Sequence, residues 1–137
     1  MRYLNEVCAV RNSLVIAAIL CAAVLLTGCS NKAAEAEQIA RTTTGGSASR
    51  GLIAMSRYGC GSCHVIPGVS GAFGKVGPPL AGIGSRFYVA GVLQNTPSNL
   101  ERWIENPPAV DEHTVMPNLG VSHKDAVDIA GYLYTLR

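Results

Sequence analysis

The sequence predicts a small all-α domain, and three observations carry that expectation. Apolar residues recur at helical spacing in two well-marked segments, Leu100, Trp103 and Ile104 in one and Ala126, Ile129, Ala130 and Leu133 in the other. No segment shows a convincing period-two alternation of apolar and polar residues, so no strand is predicted. The run Cys60-Gly61-Ser62-Cys63-His64 directly follows a third helical segment and offers two thiols and an imidazole at fixed spacing.

The elements can be justified in chain order. Residues 1–28 read as a secretory signal, with Arg2 and Arg11 before an apolar stretch from Leu14 to Leu26. That stretch is 13 residues long, short of the roughly 20 a spanning helix needs. It ends in Leu26-Thr27-Gly28-Cys29, which looks like a bacterial lipobox with Cys29 as the lipidated first residue of the mature chain. Residues 29–49 are rich in Ala, Glu, Gln, Thr, Gly and Ser and are expected to form a flexible tether. Such a stretch spans roughly 25 Å on average; a helical turn or two over Ala33–Ala40 would alter its reach but not its role.

The folded domain is then expected over residues 50–137, with about four helices. The first runs from about Ser49 to Tyr58, with serines before it and Gly59 to stop it. A Gly- and Pro-rich loop, Gly68 to Gly84, leads to a short second helix near Arg86 to Leu93. Thr96 and Pro97 open the third, and Asn106-Pro107-Pro108 ends it. Ser122-His123-Lys124-Asp125 opens the fourth, close to a capping box with Asp in the last place. Gly51 and Tyr132 mark the expected crossing of the first and last helices. A domain this small buries little surface and usually needs a staple.

Cys-x-x-Cys-His is the attachment signature of c-type haem. Each thiol takes one vinyl group of the porphyrin, and the adjacent histidine can bind the iron from one face, so His64 is the expected proximal ligand. Two other readings use the same cysteine pair. A thioredoxin-like redox site wants a βαβ setting, and no such alternation is present. A zinc site wants a second Cys or His pair, whereas His113 and His123 are isolated and no cysteine follows Cys63. Cysteine usage agrees with haem and export: Cys8 and Cys21 leave with the signal, Cys29 carries lipid, and Cys60 and Cys63 carry haem, so no free thiol remains in an oxidising compartment. The 11 Lys and Arg nearly balance the 9 Asp and Glu. An acylated N-terminus and two haem propionates tip the mature chain slightly negative, which argues against nucleic acid as a partner.

Taken together, Gly77-Pro78-Pro79-Leu80, Gly91-Val92-Leu93-Gln94-Asn95-Thr96-Pro97, Leu100-Glu101-Arg102-Trp103-Ile104-Glu105-Asn106-Pro107 and Met116-Pro117 resemble a class I (mitochondrial-type) cytochrome c. The nearest likeness is to the C-terminal cytochrome c domain of subunit II in bacterial haem-copper oxidases. The same motifs recur there in the same order, and the resemblance covers residues 50–136. The copper-binding part of that subunit is absent, so the resemblance implies a stand-alone carrier domain around one covalent haem c. Those domains carry Lys-Pro-Gly shortly before the methionine; this chain has Asp111-Glu112-His113, an acidic turn with an added imidazole.

The resemblance also implies residue roles. The carbonyl of Pro78 would hold the second nitrogen of His64, Arg86 would meet a haem propionate, and Trp103 would face the haem on the methionine side. Met116 would supply the sixth iron ligand from its own loop, with His113 as the competing candidate; Met55 is expected to pack against the ring edge or the fourth helix. A His/Met pair raises the potential and leaves no position for substrate, so the expectation is an electron carrier and not an enzyme. It would be lipid-tethered in the bacterial cell envelope and would pass electrons from a quinol-oxidising complex to a terminal oxidase, with no small-molecule substrate. The alternatives are a haem-based ligand sensor or oxidoreductase subunit with a displaceable Met116, and a haem-free Cys-x-x-Cys lipoprotein. Lys75, Lys124 and Arg57 offer a basic rim for docking that Asp111 and Glu112 oppose.

Overall fold

In the computed structural model, residues 31–137 are described; the expected signal over residues 1–28 and the lipidated Cys29 lie outside them. The compact unit runs from Ala36 to Arg137. Among the described residues there are four α-helices: α1 over residues 31–43, α2 (Ala48–Arg57), α3 (Pro97–Glu105) and α4 (His123–Leu133). Three short 3-10 turns and one antiparallel hairpin, β1 (Tyr88–Val89) with β2 (Leu93–Gln94), complete the fold. The fold is therefore all-α, with the hairpin as a minor addition. No helix among the described residues is long and apolar enough to cross a membrane.

The two periodic segments form the centre. In α3, Leu100, Trp103 and Ile104 are buried, and in α4 so are Ala126, Ile129, Ala130 and Leu133. Thr96 caps α3 by accepting from the Asn99 amide, and Ser122 caps α4 by accepting from the Asp125 amide. α2 is capped by Ser47, whose hydroxyl accepts from the Arg50 amide, and Gly59 stops it in the left-handed region. α2 crosses α4 at Gly51. A Cβ there would overlap the Asp128 carbonyl and come within 3.0 Å of the Tyr132 Cβ, so only glycine lets the two backbones approach this closely.

Two expectations are corrected. Residues 36–49 are not a loose tether. Ala40 is fully buried, and a Cβ on Gly131 of α4 would come within 2.9 Å of the Ala40 Cβ. Thr44 donates to the Val127 carbonyl at 3.0 Å, and the Glu37 carboxylate accepts from the Ala48 and Ser49 amides at 3.2 and 2.8 Å. The first turn of α2 is thus closed by a carboxylate from the preceding helix, where the helix dipole favours negative charge, and the domain boundary moves from Arg50 to Ala36. Nor do residues 86–93 form a second helix. Arg86 is already extended, at φ −78° and ψ 146°, and the chain turns back at Ala90 and Gly91, both left-handed. Aromatic and β-branched residues in Phe87-Tyr88-Val89 favour the strand instead.

α3 and α4 are also joined by His123 and Glu105, whose Nδ1 and Oε1 lie 2.6 Å apart. The carboxylate holds the imidazolium and raises its proton affinity above the ordinary 6.5. A pKa raised by folding stabilises the fold below the unfolded value, and that contribution is lost as pH rises through the folded one. The Tm difference between wild type and His123→Asn is therefore expected to be largest below pH 6.5 and to vanish in mild alkali, as a pH series of thermal melts would show.

Candidate functional site

The Cys60–Ser62 turn, the loop after it, the hairpin, α3, the Met116 loop and α4 surround one cavity of about 650 Å³. Its wall is mainly apolar, with Met55, Ile83, Leu100, Ile129 and Leu133 among the lining residues. Cys60, Cys63 and His64 stand on this wall, as do Pro78, Arg86, Trp103 and Met116. Residues far apart in the chain thus share one chamber because α3 and α4 pack as the back of it, while the irregular segments between the helices fold over its front.

Both cysteines are free thiols and half-buried. Burial pushes the Cys60 thiol above its ordinary value, so it stays protonated at neutral pH. The turn that carries them is pinned at each end. The His64 amide donates to the Cys60 carbonyl at 3.1 Å, and Gly77 donates to the Cys63 carbonyl at 2.9 Å. His64 Nδ1 lies 2.8 Å from the Pro78 carbonyl oxygen. A carbonyl can only accept, so Nδ1 is the donor in this bond. The ring is backed by Gly77, where any Cβ would overlap the imidazole. His64 is therefore held between Pro78 and Gly77 through its Nδ1 edge, and Nε2 is the ring nitrogen not tied to Pro78.

Met116 is half-buried, its amide accepted by the Thr114 hydroxyl at 3.1 Å. His113 is different: its side chain is 88% exposed, lies 3.8 Å from Glu112 and is not on the cavity wall. Trp103 is 8% exposed and Met55 only 1%, so both form wall more than opening. Arg86 is exposed and donates to the carbonyls of Pro79 and Ala81. Of the three cations expected at a basic rim, Arg57 is paired with Asp125 at 2.7 Å, while Asp111 stands on the wall itself.

Two contributors were not singled out from the sequence. Tyr58 lines the cavity, and its hydroxyl donates to Asp125 at 2.8 Å. Hydrogen bonds from Ser122 first and Tyr58 next hold the Asp125 carboxyl below the usual carboxylate range. Asn95 binds the turn before Arg86 through both amide hydrogens. Tyr58's place directly before Gly59-Cys60 was the available signal; Asn95's partners lie 12 and 9 residues upstream and left none. Among the described residues, no cluster of three or more His, Cys, Asp or Glu side chains is placed to hold a metal ion.

The chain is similar to cytochrome c oxidase subunit 2 of Alkalihalophilus pseudofirmus, with 32% identity over 91 residues. That stretch is 66% of this chain and 26% of the relative, so the chain spans about a quarter of the length of the curated protein it matches. No family model matches, and no solved structure matches.

Proposed function

We propose that this chain is a single-haem electron-transfer protein, in which Cys60 and Cys63 would attach haem c and His64 and Met116 would hold its iron. The observation that carries this is the setting of His64. Directly after the two thiols stands an imidazole whose Nδ1 donates to the Pro78 carbonyl and whose ring lies against Gly77. That is how a metal-binding histidine is prepared: the outer nitrogen is tied and the inner one is left to donate. The residues fit the group in other ways. An apolar chamber of about 650 Å³ is within the range of prosthetic-group sites, roughly 300–1,000 Å³. A thioether, Met116, stands on the same wall, and similarity to a cytochrome c oxidase subunit points to respiratory electron transfer.

Bound haem would supply one-electron exchange between Fe(III) and Fe(II). The chain's own residues would do the rest. The thiols would fix the ring, His64 would give σ-donation through Nε2, and Met116 would favour the reduced state as a soft ligand. Trp103, Leu100 and Met55 would keep water off the ring faces and so limit the reorganisation that slows electron exchange. With His64 and Met116 both holding the iron, no place would be left for a substrate, and the chain would act as a carrier and not as an enzyme. We place it in the bacterial envelope, tethered by lipid on Cys29, between a quinol-oxidising complex and a terminal oxidase. A tether raises the effective concentration at membrane partners without tight docking.

The test is spectroscopic. The full chain, produced with periplasmic haem maturation, is expected to give a low-spin c-type spectrum unchanged by carbon monoxide, whereas Met116→Ala is expected to bind carbon monoxide readily. Rapid binding by the wild type would move the protein to the class of haem sensors or oxidoreductase subunits with a displaceable ligand. A wild type without haem would return Cys60 and Cys63 to thiol or zinc chemistry.

A further inference from the structure

The stretch before α2 is clamped onto α4 at three successive points. Ala40 is fully buried against Gly131, and Ile39 beside it packs on the core. The Thr44 hydroxyl donates to the Val127 carbonyl at 3.0 Å. The Ser47 amide donates to Asp128 at 2.8 Å. Asp128 is only 2% exposed, and the Arg50 guanidinium takes both its oxygens, each at 2.7 Å. A buried carboxylate held by a two-pronged guanidinium is a firm anchor. The earliest of these ties in the chain is Glu37, whose carboxylate accepts from the Ala48 and Ser49 amides.

The clamp leaves little chain between the domain and Cys29. The link is residues 30–36, seven in number, against the 21 of residues 29–49 expected as a tether. Seven flexible residues span about 15 Å on average and about 25 Å at full stretch. We propose that docking of α1 stations the domain at the membrane surface, so that the carrier works at one short height and does not swing widely over the bilayer. This rests on the lipid anchor at Cys29 in the function proposed above. Effective concentration falls roughly as the −3/2 power of link length, so a threefold shorter link raises it about fivefold at a site within reach. At a site beyond reach it drops to near zero. The partner that fits is therefore a membrane-embedded oxidoreductase whose electron entry or exit lies close over the bilayer.

The test is the height of the domain. It is read by neutron reflectometry on the lipidated full chain at a supported bilayer of phosphatidylethanolamine and phosphatidylglycerol. A Gly/Ser insertion after Ser30 that restores a link of 21 residues leaves the clamp intact. It is expected to lift the protein layer by about 10 Å. Ala40→Glu is expected to lift it by a similar amount, because a carboxylate cannot enter the contact with Gly131 and residues 36–46 then join the link. A wild-type layer as high as that of the insertion overturns the proposal, since the domain would already swing. The insertion decides the matter alone if Ala40→Glu fails to fold. Hydrogen exchange in solution judges the clamp separately. The Ser49 amide lies in the first turn of α2 and has Glu37 as its partner. Its exchange is expected to quicken roughly tenfold in Ala40→Glu, the equivalent of one net hydrogen bond. Unchanged exchange overturns the clamp, and faster exchange with an unmoved layer overturns its control of height. A wild type that carries no lipid forms no layer and defeats the anchor at Cys29, while Ser49 exchange still shows whether α1 is clamped.

Discussion

Gly51→Leu is expected to leave the chain without a cooperative folded state. At this position α2 and α4 meet backbone to backbone, and even a Cβ would overlap the Asp128 carbonyl and approach the Tyr132 Cβ to 3.0 Å. The carbonyl belongs to a helix whose Ile129, Ala130 and Leu133 are 2%, 0% and 3% exposed, so α4 cannot yield without opening the core. Overpacking of a tight contact costs about 1–3 kcal/mol where side chains can adjust; here the obstacle is backbone, and the cost exceeds that range. A domain of this size has a stability of about 5–15 kcal/mol at most. The measurement is a thermal or denaturant melt of the purified chain beside Gly51→Ala. The smaller substitution should lower the Tm yet leave a transition, whereas the larger should abolish it. An unshifted melt for Gly51→Leu would mean that α2 and α4 are not in contact here.

Replacing both Cys60 and Cys63 by alanine is expected to remove covalent pigment completely and to make the chain protease-sensitive, on the proposed haem reading. The apolar wall of the cavity then has nothing to pack against. At about 24 cal/mol per Å³ of uncollapsed cavity, a chamber of about 650 Å³ costs at most on the order of 16 kcal/mol, as much as the whole stability of a small domain. Partial collapse of the front loops recovers some of this, but α3 and α4 are fixed by their own packing and cannot follow. The check is a denaturing gel stained for haem peroxidase activity together with limited trypsin digestion. Each single cysteine variant should retain one thioether and an intermediate resistance. A double variant as resistant as wild type would show that the fold stands without the group, and would count against the chamber as its site.

Much of the site could be read in the sequence because its chemistry is local or carried by fixed motifs. Cys60, Cys63 and His64 sit within one turn, and the caps and stripes of α3 and α4 depend on residues three or four apart, so pattern alone located them. Met116 and Trp103 were named through family likeness, and the structure sets both on the wall of the same cavity. Gly51 and Tyr132 were read as a helix crossing, and the close approach is there. The hairpin was missed because its turn relies on a left-handed Ala90 at φ 53°, a conformation that nothing in an alanine announces.

What the sequence by itself determined, then, is the set of helices with strong periodicity and good caps, and the thiol–imidazole group that the irregular segments enclose. These are decided by contacts along a few residues of chain. Only the tertiary structure decided that residues 36–49 belong to the domain, since Ala40 meets Gly131 and Glu37 closes the first turn of α2. An alanine-rich, polar stretch has too little to bury on its own, and its packing depends on a small-residue face that α4 supplies at Gly131. The same holds for Arg86. Its two carbonyl partners are exposed to it by the fold, and a cation five to seven residues from its acceptors in a loop gives no sign beforehand of which it will choose.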